Sequence, residues 1–195
     1  MTKEILGLIT IAMAVAVYLP YLINTIRGKL TPHPFSWIIW LLLIIISYLA
    51  QISDNAGPGA WMNAATIVIC VGIIFFSIKN GFKDITRFDI AVFSGGLIAI
   101  PLWVMMKDPT WSVILVSILN SIAYIPTFRK SWHNPYGESV YTYGVNIIRH
   151  GLAIFALSNV SLITALFPIV LVLDNLALTV FLIWRRTKLR DIEAE

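Results

Sequence analysis

The sequence has little of what soluble enzymes and secreted domains depend on. It contains a single cysteine, Cys70, among 195 residues, so no intramolecular disulfide and no cysteine-based metal site can form. Only 12% of its residues are charged, and it has no HExxH motif, no GxSxG motif and no phosphate-binding glycine loop. We therefore predict that the protein has no cofactor, no bound metal and no enzymatic activity.

Apolar residues dominate instead. They make up 58% of the chain, and the mean hydropathy is +0.84, well above the values of soluble domains. A helix needs about 20 apolar residues to cross roughly 30 Å of hydrocarbon. The sequence contains seven such runs, which predicts an all-α membrane protein with seven transmembrane helices. The predicted spans are 5–26, 35–52, 60–78, 88–106, 111–128, 139–157 and 160–184.

The basic residues are distributed unevenly between the two sides of these spans. Of 14 Lys and Arg residues, Lys3 and Lys107 fall on one side, Arg149 lies inside a span, and the rest fall on the other side. The positive-inside rule then predicts a plasma (cell inner) membrane protein with its N-terminus outside and its C-terminus in the cytoplasm. The net charge of +4 is thus interpreted as a topology signal, and no nucleic-acid partner is predicted. The predicted cytoplasmic residues are Arg27, Lys29, Lys79, Lys83, Arg87, Arg129, Lys130, Arg185, Arg186, Lys188 and Arg190.

The two halves of the chain repeat each other. The Tyr-x-Pro sequence that ends at Pro20 returns at Pro126, and each copy is followed by a basic pair. A second series of matches relates the second predicted helix to the sixth, with Trp40 corresponding to Tyr143. A three-helix unit ends on the opposite side from where it began, so one additional helix between two copies leaves them parallel. The predicted parts are a first triple-helix bundle (1–80), a linker loop and linker helix (81–109), a second bundle (110–187) and a short cytoplasmic tail (188–195).

Two long stretches resemble a known family. The segments LPYLINTIRGKLTPHPFSWIIW and GPGAWMNAATIVICVGIIFFSIKNG resemble the first triple-helix unit of SWEET and SemiSWEET transporters, in the PQ-loop (MtN3-like) superfamily. The segment YIPTFRKSWHNPYGESVYTYG resembles the second unit. The resemblance implies a 3+1+3 fold and bend points at Pro20 and Pro126. It also implies pocket residues at Asn63, at Asn175 and at Trp37 or Trp40. The family's Pro-Gln signature is replaced by Pro-Tyr and Pro-Thr.

Polar residues on the sixth predicted helix recur with helical spacing. Ser139, Tyr143, Asn146 and His150 are separated by four, three and four residues, which places them on one face. Their counterparts on the second helix form a less polar, more aromatic face. We predict that the two faces meet around a central pocket. The predicted substrate-binding residues are Trp37, Trp40, Asn63, Tyr143, Asn146 and Asn175.

Two charged residues lie inside predicted spans, where each charge costs about 2.5–3.5 kcal/mol. Arg149 and Asp174 fall at similar depths on neighbouring antiparallel helices, which predicts an intramembrane charge pair. The pair could lock the two helices, hold a substrate anion or, together with His150, couple transport to protons. His33 and His133 are expected to be solvated loop residues rather than metal ligands.

The function predicted from these features is transport of a small polar solute, a sugar or a similar molecule, by alternating access. A vitamin or nucleoside carrier of the same fold is an alternative, since Trp37, Trp40 and Tyr143 could stack a flat ring. A second alternative is a seven-helix receptor or regulatory membrane protein without transport activity. The expected partners are the solute and membrane lipid. The sequence is compatible with a homo-oligomer. It is also compatible with either facilitative or proton-coupled transport.

Overall fold

The computed structural model describes residues 2–81, 85–97, 101, 105 and 108–194. Within these ranges the regular structure is helical throughout, and no strand is present. Residues 98–100, 102–104 and 106 of the fourth predicted span lie outside the described residues. The helices are α1 (Thr2–Ile26), α2 (Pro34–Ser53), α3 (Pro58–Gly81), α4 (Arg87–Leu97), α5 (Pro109–His133), α6 (Val140–Ala156) and α7 (Leu162–Ala194).

Five helices, α1, α2, α3, α5 and α7, are long and apolar enough to cross a membrane. The expected all-helical membrane character is therefore confirmed, but five described helices rather than seven meet the criteria of length and hydropathy. The described part of α4 has 11 residues, and α6 has 17. Large apolar side chains such as Val68, Phe75 and Phe155 point outward, whereas polar residues such as Thr10 and Asn63 are buried. This distribution suits a hydrocarbon solvent.

Local sequence signals explain where the helices begin. Prolines occupy the first residue of α2, α3 and α5, where the missing N–H has no intrahelical partner to lose. The side chain of Asp108 accepts a hydrogen bond from the Thr110 N–H and so caps α5. Ser139 caps α6 in the same way, by accepting from the Thr142 N–H at 3.2 Å. These signals account for the close agreement between predicted and observed helix starts.

The helices differ from the prediction at their prolines and at the C-terminus. α1 runs through Pro20 as one helix, whereas the regular hydrogen bonding of α5 is interrupted at Tyr124, two residues before Pro126, although Tyr124 keeps helical angles of φ −73° and ψ −21°. A further proline, Pro168, lies inside α7 and was not anticipated. The predicted tail at 188–195 is helical through Ala194, because its Lys, Leu and Arg residues are good helix formers.

The helices pack in the same way in both halves of the chain. In the first half α3 contacts both α1 and α2, and in the second half α7 contacts both α5 and α6. Across the halves, α1 packs against α6 and α2 packs against α5, while α4 contacts α2 and α5. The first and second halves therefore face each other across the interior of the bundle.

Hydrogen bonds connect the two halves at both ends of the bundle. We call one of these ends the basic end, because Arg27, Lys130 and Arg186 lie there at or near the ends of α1, α5 and α7. At the opposite end, the loop after α2 meets the loop after α6, where the Ser158 N–H donates to the Ala56 carbonyl at 2.9 Å. The Lys3 ammonium donates to the Leu157 carbonyl at 2.6 Å in the same region.

Candidate functional site: a polar cavity inside the bundle

A cavity lies in the interior of the bundle, between side chains of α1, α2, α3, α5, α6 and α7. The cavity volume is ≈ 30 Å³, which leaves room for little more than a water molecule. The cavity is therefore contracted relative to the roughly 300–1,000 Å³ that is usual for ligand sites. A larger solute could enter only if the surrounding helices moved apart.

The structure brings all six predicted substrate-binding residues to this one cavity. α2 supplies two of them, α6 supplies two, and α3 and α7 supply one each. Each of the six is less than one-tenth exposed. That these residues bind a solute stays a prediction. The residues are Trp37, Trp40, Asn63, Tyr143, Asn146 and Asn175.

Two tyrosines of the cavity wall, at positions that the predicted repeat makes equivalent, are not among the predicted site residues. Tyr18 on α1 and Tyr124 at the break of α5 both line the cavity and are buried. Each precedes a repeat proline by two residues, so the Tyr-x-Pro match contained the signal that could have identified them. The repeat predicts a role only for the prolines, as points where the helix backbone bends.

An aromatic cluster forms one wall of the cavity. The ring centroids of Trp37 and Trp40 are 5.4 Å apart with planes at 76°, an edge-to-face arrangement. Tyr18 meets Trp37 at 5.9 Å, and Tyr124 meets Trp40 at 4.7 Å. The rings therefore pack against one another in this contracted state, and a flat ligand would have to separate them.

Arg149 lies in the polar wall of the cavity and is only 1% exposed. Its guanidinium donates hydrogen bonds to the Thr66 hydroxyl at 3.0 Å and to the Tyr18 hydroxyl at 3.3 Å. It also lies 3.1 Å from His150 Nε2. A guanidinium can only donate, so His150 Nε2 accepts this bond and the imidazole proton is carried on Nδ1. His150 is therefore neutral.

The predicted pairing of Arg149 with Asp174 is wrong. The Asp174 carboxylate accepts hydrogen bonds from the Asn120 amide at 2.7 Å and the Ser121 hydroxyl at 2.9 Å. No ion pair joins Arg149 to Asp174 in the part of the chain that the structure describes. Counting residues from the turn gave their depths but not the directions in which they project. Arg149 faces α1 and α3, whereas Asp174 faces α5.

Several buried polar atoms around the cavity have no protein partner. Six residues that line the cavity each have one side-chain nitrogen or oxygen atom with no hydrogen-bond partner among the described residues. A buried polar group without a partner costs roughly 1–3 kcal/mol, and such groups often mark functional sites. Their concentration around one cavity indicates a site that is equipped to bind a polar molecule. The atoms are Trp40 Nε1, Asn120 Oδ1, Asn146 Oδ1, Arg149 Nε, His150 Nδ1 and Asn175 Oδ1.

A buried glutamate that was not among the predicted site residues lies at the basic end, where it binds Tyr143 of the cavity wall. Glu138, in the loop before α6, is 1% exposed and accepts hydrogen bonds from the hydroxyls of Tyr21 at 3.1 Å and Tyr143 at 2.9 Å. The Lys130 ammonium is 4.0 Å from its other oxygen and donates to the Thr31 hydroxyl at 2.9 Å. Since Tyr21 and Thr31 belong to the first half, these bonds tie the halves together.

We expect Glu138→Gln to remove a pH dependence of stability. Burial raises the pKa of Glu138 above its ordinary value of 4.5, although Lys130 and the tyrosine hydroxyls act in the opposite direction. The folded protein therefore binds more protons than the unfolded chain between the ordinary and the raised pKa, and stability falls as the pH rises through that interval. Thermal unfolding in detergent at increasing pH from 4.5 should show the wild type losing stability relative to Glu138→Gln. Parallel curves for the two proteins would contradict this assignment.

A second polar cluster connects α2, α4 and α5 at the basic end. The Arg129 guanidinium donates to both oxygens of the fully buried Asp89 carboxylate, at 2.6 and 3.0 Å. His33 Nε2 lies 3.4 Å from Asp89, which is long for a hydrogen bond. The expectation of a solvated His33 is wrong, because the loop before α2 buries it beside α4. Burial lowers the pKa of His33, although Asp89 opposes the shift. His133 is exposed, as expected.

No protein-family model matches the chain, and neither a curated protein nor a solved structure was found to be similar to it. A function for this chain is therefore inferred from the cavity, from its unpartnered polar atoms and from the way the helices surround it.

Proposed function

We propose that this protein is a membrane transporter that carries a small polar solute through the cavity. The observation that supports this most strongly is the set of unpartnered polar atoms around a cavity inside a bundle of apolar helices. Polar groups at membrane depth are costly, and those that face a bundle interior commonly mark the path of a solute. The adjacent aromatic wall suits a ring-shaped solute, such as a sugar or a flat heterocycle.

We also infer a 3+1+3 arrangement of two parallel triple-helix bundles, as in SWEET-like and other PQ-loop proteins. The shared packing order supports this, because the third helix contacts the other two helices in each half. The crossed contacts of α1 with α6 and of α2 with α5 are those expected of two units related by a twofold axis. The cavity lies between the two units, where transporters built from repeats bind their solutes.

Alternating access would require the two ends to open in turn. At the basic end, the bond from Tyr21 to Glu138 and the bond from Lys130 to Thr31 connect the halves. At the opposite end, the Ser158–Ala56 backbone bond makes an equivalent connection. The contracted cavity corresponds to a state in which neither side is open. The positive-inside rule assigns the basic end to the cytoplasm, with the N-terminus outside the plasma membrane.

Replacing Asn146 with leucine should slow solute uptake at least about tenfold. Asn146 donates to the Tyr18 hydroxyl at 3.1 Å and has a free amide oxygen, so leucine removes hydrogen-bonding capacity from the cavity and leaves the Tyr18 hydroxyl with only the longer bond from Arg149. The measurement is uptake into proteoliposomes that contain this chain alone, with radiolabelled glucose, ribose, nicotinamide and nicotinate as trial solutes.

A matched control is Asn24→Leu on α1, which makes the same chemical change at a residue that does not line the cavity. Uptake by the wild type and by Asn24→Leu, together with slow uptake by Asn146→Leu, would support the proposal. Binding of a solute without flux would favour a receptor instead. Equal uptake by all three proteins would argue against transport through this cavity.

A further inference from the structure

Arg149 is a buried cation without a carboxylate partner. Among the described residues, no carboxylate oxygen lies within 4.0 Å of its guanidinium. Asp174 is bound by Asn120 and Ser121 on another face of the bundle. Glu138 is occupied by two tyrosine hydroxyls and lies near Lys130. The positive charge in the cavity wall is therefore not neutralised by the acids on the neighbouring helices.

The side chains that do contact Arg149 are neutral. Thr66, Tyr18 and His150 accept three hydrogen bonds from its two terminal nitrogens, and its Nε has no partner. A guanidinium has five N–H donors and remains protonated at any physiological pH. The Tyr18 ring, 5.0 Å from the guanidinium carbon, adds a cation–π contact. The dipoles of these neutral groups partly solvate the positive charge of Arg149 but do not neutralise it. The guanidinium also has N–H donors left for another ligand.

We propose that the transported solute is a small organic anion whose carboxylate or phosphate group binds Arg149. This inference depends on the transport function proposed above and specifies its substrate class. Two further side-chain donors with no partner among the described residues, His150 Nδ1 and Trp40 Nε1, also line the cavity. A guanidinium matches the geometry of carboxylate and phosphate oxygens, and the pairing is strong where water is excluded. The rings of Trp37 and Trp40 could contact the body of the solute once the cavity had widened.

The test compares matched probes that differ mainly in charge. The pairs are nicotinate with nicotinamide, glucuronate with glucose, and glucose 6-phosphate with glucose. A bound ligand stabilises the fold according to its concentration and Kd, so each probe is titrated against the purified full chain in a thermal-shift assay. We expect the anionic member of at least one pair to raise the Tm of the wild type more than its neutral partner does. Comparison of the glucuronate and phosphate arms distinguishes a carboxylate site from a phosphate site.

Variants locate the effect at Arg149. We expect Arg149→Gln to weaken binding of the preferred anion about 10- to 100-fold, since one charged hydrogen-bonded contact is lost. Arg149→Lys should retain part of the affinity because the charge remains. The matched control is Arg190→Gln, which removes one positive charge from an exposed position near the end of α7 and should bind the anion like the wild type.

The possible failures can be told apart. If no anion stabilises the wild type more than its neutral partner, the inference is overturned, even if neutral solutes still cross proteoliposomes and uphold transport. If an anion binds in an Arg149-dependent manner but never crosses, transport is rejected and the anion site stands. If Arg149→Gln does not fold, the site is tested by the binding of each probe pair to the wild type and to Arg149→Lys. Equal affinity of the anion and its neutral partner would then reject the site.

Discussion

Gly59→Val is expected to destabilise the protein by about 3 kcal/mol or more, the upper range for overpacking a close contact. Gly59 lies near the start of α3, where this helix meets the end of α6. A Cβ atom there would lie 2.6 Å from Leu157 Cδ2, 2.9 Å from the Ala153 carbonyl oxygen and 3.0 Å from Leu157 Cα. Two of these three atoms belong to the backbone and cannot move aside cheaply. The helices would have to separate at the opposite end of the bundle.

Gly144→Ala and Gly151→Ala are matched controls on α6. A Cβ at either position meets nothing within 4 Å, and alanine favours a helix over glycine by about 0.5–1 kcal/mol. Thermal unfolding in detergent should therefore show a large loss for Gly59→Val and no loss for either control. A Gly59→Val protein as stable as the wild type would mean that α3 and α6 do not approach each other this closely. Gly59→Ala should fall between the two extremes.

Pro126→Ala is expected to slow solute uptake about tenfold or more while the protein keeps its thermal stability. Pro126 lacks the N–H that would bond to the Ile122 carbonyl, and α5 is interrupted at Tyr124 just before it. Alanine would restore that bond and favour a continuous helix. The restored bond would stiffen α5 beside Tyr124 in the cavity wall and remove the flexible point about which the basic end could open.

The repeat-related proline provides the comparison. α1 remains helical through Pro20, so we expect Pro20→Ala to change uptake much less than Pro126→Ala. Initial uptake rates in proteoliposomes, with Tm measured on the same preparations, separate an effect on motion from an effect on folding. Equal slowing by the two variants would restore the symmetric hinge expected from the sequence. No slowing by either variant would remove the hinge interpretation altogether.

The difference between Pro20 and Pro126 shows which structural features a sequence repeat predicts and which it does not. The tyrosines that precede both prolines line the same cavity, as the predicted equivalence of their positions would require. The repeat did not reveal that only α5 is interrupted. Arg129, in the last turns of α5, is bound to Asp89 of α4, and α4 packs against α2 and α5. The two similar local motifs therefore meet different surroundings.

The sequence alone determined which segments are helical and which faces of α2 and α6 turn inward. Apolar runs, helix-starting prolines such as Pro34 and Pro58, and the four-three-four spacing on α6 act within a few turns of one chain segment. Only the tertiary structure decided which buried charges meet. The separation of Arg149 from Asp174 and the burial of Glu138 and His33 depend on how each helix is rotated and where its loops fold. Those angles are set by packing between segments far apart in the chain, so spacing along one helix cannot supply them.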